Sequence, residues 1–123
     1  MKVFVYGTLM QGYSNHSLVR PYLTGIKAAK TQGLLYNLGS FPGMKRGNGQ
    51  VIGELIIIGQ DYQQEVLERL DILEGHPDFY RREKVEVEEL ETGQKHMAWT
   101  YIYNSDTLDK SRLINSGDWK EVN

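Results

Sequence analysis

The stretch Gln50-Val51-Ile52-Gly53-Glu54-Leu55-Ile56-Ile57-Ile58, followed closely by Asp61–Glu74, decides the fold class. The first segment is a nearly continuous apolar run of strand length, as a buried strand requires. The second changes period: at about 100° per residue, Val66, Leu67, Leu70 and Leu73 fall on one helix face, with only Ile72 off it. Asp61 is placed to cap the start of that helix, and Gly75 stands where a helix C-terminus favours glycine. A buried strand running into an amphipathic helix, among further strands, predicts an α+β domain.

Working outward, Lys2–Tyr6 is a short apolar run that stops at Gly7-Thr8, and Gln32–Leu38 is a second. Val85 and Val87 alternate with Glu86 and Glu88, so this strand is half exposed. Across Glu91-Thr92-Gly93 the chain turns back into His96–Tyr103. There Met97, Trp99, Tyr101 and Tyr103 share one face, and Ala98, Thr100 and Ile102 the other, which predicts an antiparallel hairpin. Ser14–Tyr22 reads as a short helix with Pro21 near its end. No repeat, low-complexity stretch or linker interrupts the chain, so residues 1–123 are expected to form one domain. Periodicity leaves a small closed sheet and a strongly curved one equally available.

Composition removes whole classes of chemistry. The 123 residues include no Cys, which excludes a disulfide framework, a thiolate nucleophile and a Cys-based metal site, and fits a cytoplasmic protein. His16, His76 and His96 are dispersed without metal-ligand spacing, so no metal or other cofactor is expected. A net charge of −2 gives no support for nucleic acid as a partner. No apolar run approaches a membrane span, and the apolar amino terminus reaches Gly7 too soon for a signal-peptide core. Nothing in the sequence bears on oligomeric state.

Four features could carry chemistry. Glu74 falls inside the Leu67/Leu70/Leu73 stripe, whereas Glu65 and Glu68 fall on the polar side. A carboxylate facing the core in the last helical turn meets both burial and the negative end of the helix dipole. Both raise its pKa, which suits a general base; a helix-end glutamate that simply reaches water is the alternative. Tyr6-Gly7-Thr8-Leu9, directly after a strand, can form a turn whose backbone N–H groups bind an anion, or an ordinary turn. Gly39-Ser40-Phe41-Pro42-Gly43 and Gly47-Asn48-Gly49 are turn chemistry first and pocket-lining loops second. Tyr80, Trp99, Tyr101 and Tyr103 either pack a core or place a hydroxyl in a cleft. Asp71, near Glu74 in sequence but at the edge of the apolar stripe, reads as structural.

Taken in order, Tyr6-Gly7-Thr8-Leu9, Asn15-His16, Gly33-Leu34-Leu35-Tyr36, Phe41-Pro42-Gly43, Gly53-Glu54-Leu55, Leu70-Asp71-Ile72-Leu73-Glu74-Gly75, Tyr80-Arg81-Arg82 and Trp99-Thr100-Tyr101 resemble the γ-glutamylcyclotransferase-like family, most closely its short bacterial and γ-glutamylamine cyclotransferase-type branch. The tail Ser116-Gly117-Asp118-Trp119 also matches. The resemblance implies a small mixed β-barrel flanked by helices, with a cavity at one mouth. It implies a cofactor-independent enzyme acting on a small γ-glutamyl substrate, which cyclises to 5-oxoproline and releases its amine. By the same resemblance, Glu74 is the acid and base, and Tyr6, Gly7, Thr8, Leu9, Gly43, Tyr80 and Tyr103 bind the substrate. One departure is Ile56, where many members carry an aromatic. The rival reading keeps the fold and the pocket but has only a non-catalytic role in binding amino-acid-like ligands.

Overall fold

A computed structural model describes residues 1–122. Its strands are β1 (Lys2–Val5), β2 (Leu23–Asn37), β3 (Pro42–Ile58), β4 (Tyr80–Glu89) and β5 (Lys95–Tyr103), and its α-helix is α1 (Gln63–Glu74). The strands close into a barrel in the order β1-β3-β2-β4-β5. Most neighbours are antiparallel, but β1 meets β5 in parallel at Val3↔Trp99, and β3 meets β5 in parallel at Met44↔Ile102. The barrel is therefore mixed. Among the described residues no helix is long and apolar enough to cross a membrane.

The core follows the apolar runs. Val3, Phe4 and Val5 of β1 are buried, as are Leu55, Ile56 and Ile58 of β3, against which β1 pairs from Lys2↔Ile57 to Val5↔Glu54. In the β4–β5 hairpin, Ala98, Thr100 and Ile102 form the fully covered face, while Met97 on the other face, near the turn, is exposed. The chain after β5 folds back across the barrel. Trp119 is buried there, and Gly117 O accepts the Ile52 N–H at 2.8 Å.

Several local expectations need correction. Ser14–Tyr22 is two 3-10 turns, Ser14–Leu18 and Arg20–Tyr22, rather than one helix, because Pro21 has no N–H to donate and Val19 alone is fully buried. Helix α1 starts at Gln63, after a 3-10 turn over Gln60–Tyr62, so Asp61 lies outside it and makes no capping bond. Its buried stripe is narrow: Val66 and Leu70 are covered, whereas Leu73 is 41% exposed. Gly75 does end the helix in the left-handed region (φ 65°), with its N–H facing the Asp71 and Ile72 carbonyls. Pro42 and Gly43 already belong to β3, and the turn before them is closed by Leu38 N–H to Phe41 O at 3.0 Å. Gly47-Asn48-Gly49 is no hairpin turn either. Pairing jumps from Gln32↔Gln50 to Leu34↔Lys45, so these residues bulge from within β3 opposite Gly33.

A close backbone approach lies where β1 pairs with β3. A Cβ at Gly53 would overlap the Val5 carbonyl oxygen and lie 2.9 Å from Phe4 Cζ. Gly53→Ala is therefore expected to lower stability by about 2–3 kcal/mol, as overpacking a core does. Urea unfolding should show a lower midpoint at unchanged slope.

Candidate active site

β1 delivers the chain into the turn Tyr6–Met10, and a cavity of about 250 Å³ opens beside it. The turn is held by its acceptors. Gly7 O takes the Met10 N–H (3.0 Å), Thr8 O takes the Asn15 N–H (3.1 Å), and Leu9 O takes the His16 Nδ1 proton (2.9 Å). Asn15 also donates its Nδ2 proton to Thr8 Oγ1 at 2.9 Å, and the buried Glu54 carboxylate accepts the Gln11 N–H at 2.8 Å. The amides of Gly7, Thr8 and Leu9, by contrast, donate to no described residue. The three residues line the cavity together, so these undonated amides are grouped at one wall of it. Gly7 is there for a steric reason too. A Cβ on it would lie 2.8 Å from ring carbons of Pro42, which forms another wall.

Glu74, the last residue of α1, enters the same cavity. Burial raises its pKa from the ordinary 4.5 to about 7. No Lys, Arg or His lines the cavity, and no described residue forms an ion pair with Glu74. Asp71, one helical turn earlier, has the opposite environment. Burial pushes its carboxyl up, but Arg82 donates Nε–H to Oδ1 (2.9 Å) and Nη2–H to Oδ2 (3.2 Å), and Tyr101 donates its hydroxyl at 2.7 Å. These bonds outweigh burial and hold Asp71 below the usual carboxylate range. Arg82 is itself stacked over Trp99 at 4.5 Å. One carboxyl is thus fixed as an anion within a bonded network, and the other is left to titrate near neutrality.

The remaining wall is phenolic. The Tyr6 hydroxyl donates to Tyr101 O (2.6 Å) and accepts the Met44 N–H (3.3 Å), and the Tyr80 hydroxyl donates to Pro42 O (2.7 Å). Burial pushes all three phenols, Tyr6, Tyr80 and Tyr101, well above their ordinary pKa, so they stay protonated beside Glu74.

Of the residues singled out from sequence, the fold brings Tyr6, Gly7, Thr8, Leu9, Glu74 and Tyr80 to this one cavity. Gly43 and Tyr103 do not line it. Gly43 pairs with Tyr36 in the β2–β3 ladder, and a Cβ on it would lie 3.0 Å from Tyr103 Cβ, so its smallness serves packing. Tyr103 stacks edge-on against Tyr80 and faces a neighbouring cavity. Tyr101 reaches the Glu74 cavity instead, with Asn15, Leu73, Phe41 and Phe79. The alternation in β5 puts Tyr101 and Tyr103 on one face, but only tertiary structure decides which of them meets Glu74.

Comparison with known proteins shows the family. The family profile described as gamma-glutamyl cyclotransferase, AIG2-like, matches residues 3–121. A Vibrio cholerae protein, named provisionally as a γ-glutamylcyclotransferase, is 41% identical over 118 residues, covering 95% of this chain and 93% of its own. The γ-L-glutamyl-butirosin B γ-glutamyl cyclotransferase of Niallia circulans is 33% identical over 124 residues, covering 97% of this chain and 75% of its own. YtfP of Escherichia coli, named a γ-glutamylcyclotransferase family protein, is 33% identical over 120 residues. Its solution structure superposes with a TM-score of 0.61, covering 97% of this chain and 96% of that one.

The raised pKa of Glu74 has a measurable consequence. Between pH 4.5 and about 7 the folded protein holds a proton that the unfolded chain has released. The stability from this group is complete below that window and is lost as pH rises through it. Relative to the parent, Glu74→Gln should gain about 1–3 kcal/mol between pH 4.5 and about pH 8. Chemical denaturation of both proteins at the two pH values measures this.

Proposed function

Because the chain belongs to the γ-glutamyl cyclotransferase, AIG2-like family, we propose that it cyclises a γ-glutamyl group to 5-oxoproline and releases the attached amine, with Glu74 as the acid and base. The observation that carries this reading is a carboxyl near pKa 7 with no ion-pair partner, in one cavity with three undonated backbone amides. The substrate brings its own nucleophile, its α-amine, which arrives as an ammonium ion. Glu74 in its carboxylate form takes one of the three ammonium protons and frees the nitrogen lone pair. That nitrogen attacks the γ-carbonyl carbon, a carbon–nitrogen bond forms, and the carbonyl electrons move onto oxygen.

The resulting oxyanion and the glutamyl α-carboxylate both need donors in a cavity that no Lys or Arg lines. The Gly7, Thr8 and Leu9 amides are the groups available, held in place before the charge develops, whereas the phenols have already given their protons to Tyr101 O, Pro42 O and Asp71. Collapse of the oxyanion breaks the bond to the leaving nitrogen. One of the original ammonium protons stays on the ring nitrogen. The other two end on the leaving amine, carried across by Glu74 one at a time, and Glu74 finishes as the carboxylate it began as. Ring closure is intramolecular, so the cavity mainly has to hold the amine over the γ-carbon.

The test is a panel of γ-glutamyl amines and dipeptides, with 5-oxoproline followed by mass spectrometry. Turnover of at least one compound is expected, and Glu74→Gln should lower it by about 10²–10⁴-fold while still binding 5-oxoproline. The parent's kcat/KM should fall as pH drops below about 7, because protonated Glu74 cannot accept the ammonium proton. Unchanged turnover in Glu74→Gln overturns the mechanism, and binding without any turnover makes the protein a binder. Gly7→Val should weaken 5-oxoproline binding, because the new side chain is driven against Pro42 and displaces the turn.

A further inference from the structure

The Glu74 cavity shares a wall with a second one. The rings of Phe41 and Phe79, edge-on with centroids 6.2 Å apart, line both. They are 37% and 47% exposed, so they form a lip between the two spaces and not a sealed partition. The second cavity, of about 340 Å³, continues the apolar surface with Leu38, Leu108 and Tyr103 and then ends in charge at Arg112 and Asp109. The two charges are differently committed. Asp109 caps the Lys110–Arg112 turn, accepting the Ser111 N–H at 2.9 Å, and that bond, with the nearby Arg112 charge as a smaller cause, holds its carboxyl below the usual range. Arg112 donates one Nη1 proton to Asn37 O at 3.1 Å and has no carboxylate of a described residue within ion-pair distance. Its other guanidinium protons remain available.

We propose that this second cavity is the leaving-group subsite and that it takes an ω-amino acid. The carbon stem lies on Phe41, Phe79 and Leu108, and the terminal carboxylate meets the free face of Arg112. This assignment rests on the cyclisation described above. It follows from what each cavity lacks. Glu74 is the sole ionisable acid or base, phenols aside, on the wall of the first cavity, so a leaving group finds no cation until it has passed the Phe41–Phe79 lip. An α-amino acid carries its carboxylate one carbon from the departing nitrogen, which sets that charge against the two phenyl rings and near Glu74. Desolvation and like-charge repulsion both oppose this arrangement. A plain alkylamine gains the contacts along the stem but leaves Arg112 unpaired. A stem of several carbons with a distal carboxylate satisfies both ends.

The experiment compares γ-glutamyl conjugates of 4-aminobutyrate and 6-aminohexanoate with those of propylamine and pentylamine, which lack only the carboxylate, and with the glycine conjugate. Initial rates of 5-oxoproline formation give kcat/KM for each. At least one ω-amino acid conjugate should exceed both its matched amine and the glycine conjugate by about tenfold, the scale of one charge-assisted pair. In Arg112→Gln the ratio of carboxylate conjugate to matched amine should fall to about one, and Arg112→Lys should restore part of it. The subsite is overturned if the distal carboxylate confers no advantage at either length, or if Arg112→Gln lowers every substrate by the same factor. Failure of the underlying cyclisation looks different: no conjugate of any kind yields 5-oxoproline, and both readings then fall together.

Discussion

The structure depends on the pairing of one short strand with two neighbours. β1 is only Lys2–Val5, yet it is antiparallel to β3 and parallel to β5, and it fills the space between those strands where they part beyond their own contact at Met44↔Ile102. A parallel neighbour cannot be reached by a tight hairpin, so this contact joins opposite ends of the chain. It is also why Val3, Phe4 and Val5 are continuously apolar: with a neighbour on each side and packing on both faces, none of the three can be polar at low cost. The Gly53–Val5 approach sets how close β1 lies to β3, and the turn after Val5 inherits that placement. The donors of the candidate site are thus positioned by the same contact that closes the barrel.

Placed on this frame, the two carboxyls of α1 show how local context divides similar groups. Asp71 and Glu74 lie one helical turn apart, so both point from one side of the helix toward the barrel. Asp71 meets Arg82, Tyr101 and, through Arg82, the face of Trp99; it cannot take up a proton near neutrality without losing those bonds. Glu74 meets apolar and phenolic surface and no cation, so its charged form is the disfavoured one. The network around Asp71 also orients Tyr101, which gives that carboxylate an indirect role in shaping the cavity it does not enter.

Much of this is legible in the sequence, and the exceptions have physical reasons. β1, the β4–β5 hairpin and α1 are readable because burial on one or both faces imposes a period on their side chains. Glu74 is readable for the same reason, as a carboxylate in an apolar stripe. The first half of β2, Leu23–Thr31, has no such pattern: it contains Gly25, Lys27 and Lys30, and it is held by ladder pairing to β3 and β4 more than by burial. The bulge at Gly47-Asn48-Gly49 has turn composition because it does turn locally, while its strand continues on both sides. Gly43 and Tyr103 lie beside the cavity without lining it, since a resemblance in sequence order carries no information about which side of an aromatic cluster a ring occupies.

On the proposed reading, the turn at Tyr6–Met10 lets the cavity work without a cation. Were a Lys or Arg placed there to hold the glutamyl carboxylate, it would also sit near Glu74 and pull that carboxyl back toward its ordinary pKa. The base would then be weaker just where an ammonium proton has to be removed. Backbone amides avoid the conflict. They present partial positive charge at fixed positions and carry no net charge, so they can receive an anion while burial alone governs Glu74. For that to hold, their carbonyl partners must be satisfied elsewhere, or the turn would close on itself. Met10, Asn15 and His16 supply those bonds from just downstream in the chain. Using the turn's acceptors internally and leaving its donors free would keep a raised pKa and the proposed anion site compatible in one small cavity.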